Sequence, residues 1–251
     1  MAKRGGHEPL GKDHTPEAIR SRLNSRRNPR LVRDAILGAT DGCVTTFAVV
    51  AGAVGGTLDD KVVIVLGFAN LLADGFSMAA SNYLGARSLN EELEQAKAME
   101  NRHIEEIPEG EKEEVRQIFA SKGFQGDLLE KVVNVVVGNR QLWVDTMITD
   151  ELGLHRVDAK PARAAGATFT AFCAAGIIPL LAFLAPGLDP ENRFLVSCLA
   201  TATTFFGTGF LKGWALGRST WKSGLGTLLL GGAAAILAYV AGFVLGRIGL
   251  P

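Results

Sequence analysis

The sequence predicts an all-α membrane protein with five transmembrane helices and a charged helical insertion between the second and the third. Three observations predict it. Apolar runs recur over roughly 35–56, 62–86, 164–186, 194–216 and 225–246. Runs of about 18 or more apolar residues read as membrane helices rather than as soluble core. Glycine makes up 30 of 251 residues, and it is commoner in membrane helices than in soluble ones. Charged residues are 21% of the chain, yet they gather in two blocks and leave the rest nearly charge-free.

Residues 1–33 form the first block, a basic segment read as cytoplasmic and attracted to anionic lipid, with His7 and His14 in it. It has neither the short apolar core nor the small-residue cleavage site of a signal peptide. Residues 34–86 hold helices 1 and 2, residues 87–160 the insertion, and residues 161–251 helices 3 to 5. Cys43, Cys173 and Cys198 all fall inside spans and read as small buried residues, not as a disulfide frame.

Orientation follows from the basic residues. Nine Lys and Arg precede residue 34, eleven lie in 87–163, and Lys212, Arg218 and Lys222 share the turn between the last two spans. Lys61, Arg193 and Arg247 fall on the other side. The excess of positive charge stays in the cytoplasm, so the N-terminus and the insertion are expected there. Trp214 and Trp221 flank the 212–222 turn, where amphipathic rings anchor at the interface. Gly38/Gly42, Gly52/Gly56, Gly213/Gly217 and Gly242/Gly246 each stand four apart, a spacing that lets helices approach closely.

The first span, "DGCVTTFAVVAGAVGG", carries Asp41 about two turns in. An ionised carboxylate near mid-bilayer costs at least ~2.5–3.5 kcal/mol on insertion scales, and such residues usually face a cavity or pathway. Gly38, Asp41, Thr45 and Gly52 share one helix face. In the second span Asn70, Asp74, Ser77, Met78 and Ser81 do the same. Two such stripes facing each other make a hydrophilic path, and the Met78 thioether adds a soft ligand suited to transition metals. The residues alone leave a second reading open, in which Asp41 and Asp74 brace against cytoplasmic cations and Met78 only packs.

In the insertion, "SLNEELEQAKAMENRHIEEI" continues the second span as a helix until Pro108 breaks it. "EGEKEEVRQIFASKGF" and "GDLLEKVVNVVVG" follow as helices, and Asn139 caps "RQLWVDTMITDELGL". Val115, Ile118, Phe119, Leu128, Leu129, Val132, Val133, Val136, Trp143 and Ile148 are expected to form a small core. Glu100 and His103 stand at i, i+3, the Glu-x-x-His spacing that aims a carboxylate and an imidazole at one metal. Glu111/Glu114 repeat that spacing, and Met147/Glu151 are i, i+4. Converging, these faces make a ligand set suited to Fe(II), Mn(II) or Zn(II) over Ca. Left apart, they are ordinary solvated Glu-rich helices.

Taken together, "DGCVTTFAVVAGAVGG", "ANLLADGFSMAASNYL", the Glu-rich insertion closing on "DELGL" and the Gly-rich last spans resemble the vacuolar iron transporter family over about residues 30–248. The resemblance implies a homodimer in the lipid bilayer that moves Fe(II), often with Mn(II), out of the cytosol in exchange for protons. It implies that Asp41 and Met78 bind the ion within the membrane. It also implies that Glu100, Glu111, Glu114, Met147 and Glu151 gather ions on the cytoplasmic side. Three residues depart from the familiar pattern. Asn70 stands in place of a pathway glutamate, which leaves proton coupling to Asp41 or Asp74. His103 stands in place of a glutamate, pointing to a softer or more pH-sensitive cluster. Ile148 replaces a second methionine.

The expectation is therefore a transporter rather than an enzyme, with divalent metal as cargo, no prosthetic group and no nucleic-acid partner. Compact loops lean toward a bacterial plasma membrane over a vacuolar one. The rival reading is a membrane-anchored iron-binding or ferroxidase-like protein that does not transport.

Overall fold

The computed structural model describes residues 14–24, 29–154 and 160–248, and they are all helix and connecting turn. His7 and most of the basic N-terminal segment lie outside the described residues. Two helices open the chain, α1 (Pro16–Asn24) and α2 (Pro29–Gly55). The chain reverses through Thr57, at φ +57°, before Asp59 caps the next helix by accepting a hydrogen bond from the Lys61 amide at 2.9 Å.

That helix, α3 (Asp60–Glu106), runs unbroken for 47 residues. At 1.5 Å per residue it is ~70 Å long, more than twice the ~30 Å of a bilayer's hydrocarbon core. Its first half is apolar and its second half carries "NEELEQAKAMENRHIEE", so the span and the first helix of the insertion are one rod. Ile107, at φ −137°, ends it because the residue before a proline is pushed out of the α region. Pro108 then opens α4 (Pro108–Ser121), followed by α5 (Gly126–Val137) and α6 (Arg140–Thr146). Asn139 caps α6 as expected, its side chain accepting from the Leu142 amide.

The membrane bundle is completed by α7 (Pro161–Gly176), α8 (Ile178–Leu184), α9 (Pro190–Ala215) and α10 (Thr220–Ile248). Four helices are long and apolar enough to cross a membrane, and α7 with α8 makes a fifth bent by 42°. Pro179 lies just after the bend and has no amide hydrogen to continue the helix ladder. Ser197 on α9 donates to its carbonyl at 2.7 Å. At the α3 and α9 N-termini, Asp60 pairs with Arg193, which also donates to the Leu188 carbonyl.

Helix α2 is the hub, packing on α3, α7, α9 and α10. A side chain at Gly42 would strike the backbone of Phe172 on α7, and one at Gly242 would strike the backbone of Gly52. Three glycine pairs thus mark close crossings: Gly38/Gly42 on α7, and Gly52/Gly56 facing Gly242/Gly246. The fourth pair differs. Gly213 packs against Thr220, but Gly217 lies in the turn at φ +63° with open space around it. Its role is conformational, since left-handed backbone favours glycine. Phe47, Val50, Leu71, Phe172, Leu180 and Phe205 fill the bundle core, and Cys43 is buried there as a free thiol. Trp221 packs on Phe206, and Trp214 is exposed beside the same turn.

A second core joins Leu93, Ala96 and Ile104 of α3 to Val115, Val133, Val136, Trp143, Val144, Met147 and Ile148. Two expectations are corrected here. Leu128 is 58% exposed, because the inward stripe of α5 runs Leu129–Val133–Val136 and Leu128 falls to one side of it. The last helix does not continue to Leu154 as α. It widens to a π turn over Met147–Glu151, closed by the Leu152 amide donating to the Met147 carbonyl at 3.1 Å. The wider turn keeps both Met147 and Ile148 inside and leaves Asp150 and Glu151 at the surface.

Candidate metal centre

The corner at Ile107–Pro108 turns α4 back along the end of α3. It thereby brings the first turn of α4 against the last turns of α3. Glu100 and His103 from α3 meet Glu111 from α4, with one ligand atom from each within 4.8 Å of the others. His103 Nδ1 lies 3.3 Å from Glu111 Oε1. Glu100 and Glu111 are only 2% and 3% exposed, and the Oε2 atom of each is buried with no hydrogen-bond partner. A buried carboxylate oxygen without a partner is costly, and two side by side are costlier still. The cluster is therefore unfavourable unless a proton or a cation enters it.

The ionisation of these groups registers that cost. Burial, then the charges of Glu111 and Glu151, pushes the Glu100 carboxyl up to about 7. Burial and the Glu114 charge also raise Glu111 and Glu151 above the ordinary carboxylate range. Glu114 and Glu151 remain at the surface and bring negative field to the pair inside. Met147 is fully buried among the apolar residues of the second core. Two carboxylates and an imidazole make a donor set for Fe(II), Mn(II) or Zn(II).

The four residues singled out in the membrane are arranged more loosely. Asn70 Nδ2 donates to Thr45 Oγ1 and to Thr46 Oγ1, each at 3.3 Å, tying α3 to α2. Asp41 is half-buried on α2. Met78 is half-buried and leans on the bundle core. Asp74 is exposed, on a stretch of α3 where Leu72 and Phe76 also stand out from the bundle. Of the α3 stripe, Asn70 meets α2 through the two threonines, while Asp74, Ser77 and Ser81 are exposed.

Sequence reasoning passed over Thr46, which is fully buried and lies off the Asp41–Thr45 stripe. Its signal was a second consecutive threonine in an apolar run, opposite an asparagine.

Comparison with known proteins follows the same lines. A family model described as the VIT family matches residues 32–243. The chain is 34% identical over 223 residues to a vacuolar iron transporter of Toxoplasma gondii, covering 85% of this chain and 74% of that protein. It is 33% identical to vacuolar iron transporter 1 of Arabidopsis thaliana, covering 83% and 84%. With the vacuolar iron transporter of Plasmodium falciparum the identity is 30%, covering 85% and 82%. These plant and parasite relatives lend no support to the expected bacterial plasma membrane.

Proposed function

Because the chain belongs to the VIT family, we propose that it carries Fe(II), and Mn(II) with it, out of the cytosol in exchange for protons. The observation that carries this reading is the Glu100–His103–Glu111 cluster and its unpartnered carboxylate oxygens, built on the same helix that crosses the membrane. Glu114 and Glu151 draw cations toward it from the surface, and Met147 offers a thioether from the second core.

Ions collected there pass to the path between α2 and α3, where Asp41 is the main ligand and Asp74 and Met78 assist. A carboxylate holds a proton or a metal ion, rarely both. Ion arrival at Asp41 therefore displaces a proton, and reprotonation from the far side releases the ion. Asn70, a neutral amide, takes no part in that exchange and holds the two stripes in register. Two copies of the chain assemble across the exposed apolar face of α3, which brings their Asp74 residues toward a shared path. The cytoplasmic side is that of residues 87–160.

Fe(II) uptake into proteoliposomes loaded with a pH-sensitive dye tests the whole reading. Metal influx coupled to proton efflux is expected in the wild type, and its loss in Asp41→Ala. Tight metal binding without flux in either protein supports the anchored iron-binding alternative instead.

A further inference from the structure

His103 stands between two kinds of surroundings. Its Nδ1 edge faces the buried carboxylate of Glu111, while its side chain is 40% exposed. In an imidazole the two ring nitrogens point in divergent directions, so the edge bearing Nε2 turns away from the carboxylates. On the outer side His103 lines a surface groove of about 530 Å³ together with Ala98, Met99, Arg102, Glu106 and Ile107. Met99 precedes His103 by four residues on α3, which places the two side chains as neighbours on one helix face. It is 42% exposed, so its thioether is reachable from the groove.

The chemistry of the groove differs from that of the cluster behind it. Glu106 is the groove's carboxylate, and Arg102 holds it in an ion pair at 2.7 Å. The donors left uncommitted are an imidazole nitrogen and a thioether. Thioether sulfur prefers Cu(I) among biological metals, and imidazole accepts it readily. Hard divalent ions gain little from such a pair.

We propose that His103 Nε2 and Met99 Sδ form a second metal site on the outer face of α3 that takes Cu(I), separate from the carboxylate cluster. The groove beside them leaves room for a third, exogenous donor. The site does not depend on the transport reading, because it needs neither flux nor proton exchange. A protein that never moved iron would still bind copper here. His103 is the common member: with Cu(I) on Nε2 the ring keeps its proton on Nδ1, which donates to Glu111, and a divalent ion then rests on the carboxylates alone.

Anaerobic titration of the detergent-purified full chain against a chromophoric Cu(I) chelator tests this. The wild type is expected to withdraw one Cu(I) that Met99→Leu releases, with affinity falling at least tenfold. Mn(II) affinity, read in parallel by electron paramagnetic resonance, should stay within twofold in that variant. Glu111→Gln should behave the opposite way, weakening Mn(II) and keeping Cu(I). His103→Gln should lose the copper. Equal Cu(I) affinity in wild type and Met99→Leu overturns the proposal, and so does displacement of the copper by saturating Mn(II). Thermal unfolding of Met99→Leu, expected unchanged at so exposed a position, separates lost ligation from lost structure.

Discussion

The amide of Asn70 on α3 donates to the fully buried hydroxyl of Thr46 on α2, at 3.3 Å. A charged or titrating group at that position would face two hydroxyls inside an apolar bundle. The neutral amide instead fastens the two helices together. Asn70→Leu removes both bonds, and interhelical hydrogen bonds in membranes average ~0.6 kcal/mol each. The expected result is a slightly less stable protein whose Fe(II) uptake falls several-fold yet stays coupled to protons. Complete loss of coupling in Asn70→Leu would mean that the amide is part of the exchange.

Metal capture should depend on pH in a defined window. The Glu100 carboxyl is raised from its ordinary 4.5 to about 7, so in the apo protein it is about half protonated at neutral pH and increasingly protonated below it. A divalent ion must displace that proton. Mn(II) affinity is expected to climb about tenfold per pH unit as pH rises toward 7, then to level off. Calorimetric titration at several pH values, in buffers of differing ionisation enthalpy, reads both the slope and the proton released.

The same shift predicts the stability of the apo protein. A carboxyl whose pKa is raised on folding favours the folded state fully below its unfolded value, near 4.5. That contribution is lost as pH climbs through 7. Across the window it amounts to roughly 3 kcal/mol. Glu100→Gln should remove this dependence, stabilise the apo protein above pH 7 and weaken Mn(II) binding. Thermal unfolding in detergent with and without Mn(II) shows both effects, because added metal should stabilise the wild type far more than the variant.

Glycines on one helix should respond very differently to the same change. A methyl at Gly242 would press into the Gly52 backbone, whereas nothing lies within 4 Å of a methyl at Gly232. Gly242→Ala is expected to push α10 off α2, lowering the yield of folded protein and its melting temperature. Gly232→Ala should leave both unchanged or slightly improved, since alanine is the better helix former by ~1 kcal/mol. Size-exclusion profiles and melting curves of the pair settle the comparison.

Much of this architecture was legible because long-period signals survive without tertiary knowledge. Apolar length gave the spans, Pro108 gave the corner, and the Glu-x-x-His spacing placed Glu100 and His103 on one face. Glu111 joined them only through the family resemblance, since spacing alone left the Glu-rich faces either converging or apart. What stayed hidden depended on neighbours distant in sequence. Nothing near Leu128 says that Leu129 will take the inward position. The π turn at Met147–Glu151 packs against α3 and α4, and no breaker residue announces it. Thr46 became visible only once Asn70 lay across from it.

The length and continuity of α3 carry one more consequence. Thirty residues separate Asn70 from Glu100, about 45 Å along a single axis with no joint between them. The rotational phase of the charged end relative to the apolar end is therefore set by counting residues, as teeth set the phase of a gear. One residue inserted near Arg87 would swing everything beyond it by ~100°, while seven would restore the phase to within ~20° and lengthen the rod by ~10 Å. The spacing along this helix is thus a timing element, one that a shift of a single codon would upset without touching any ligand.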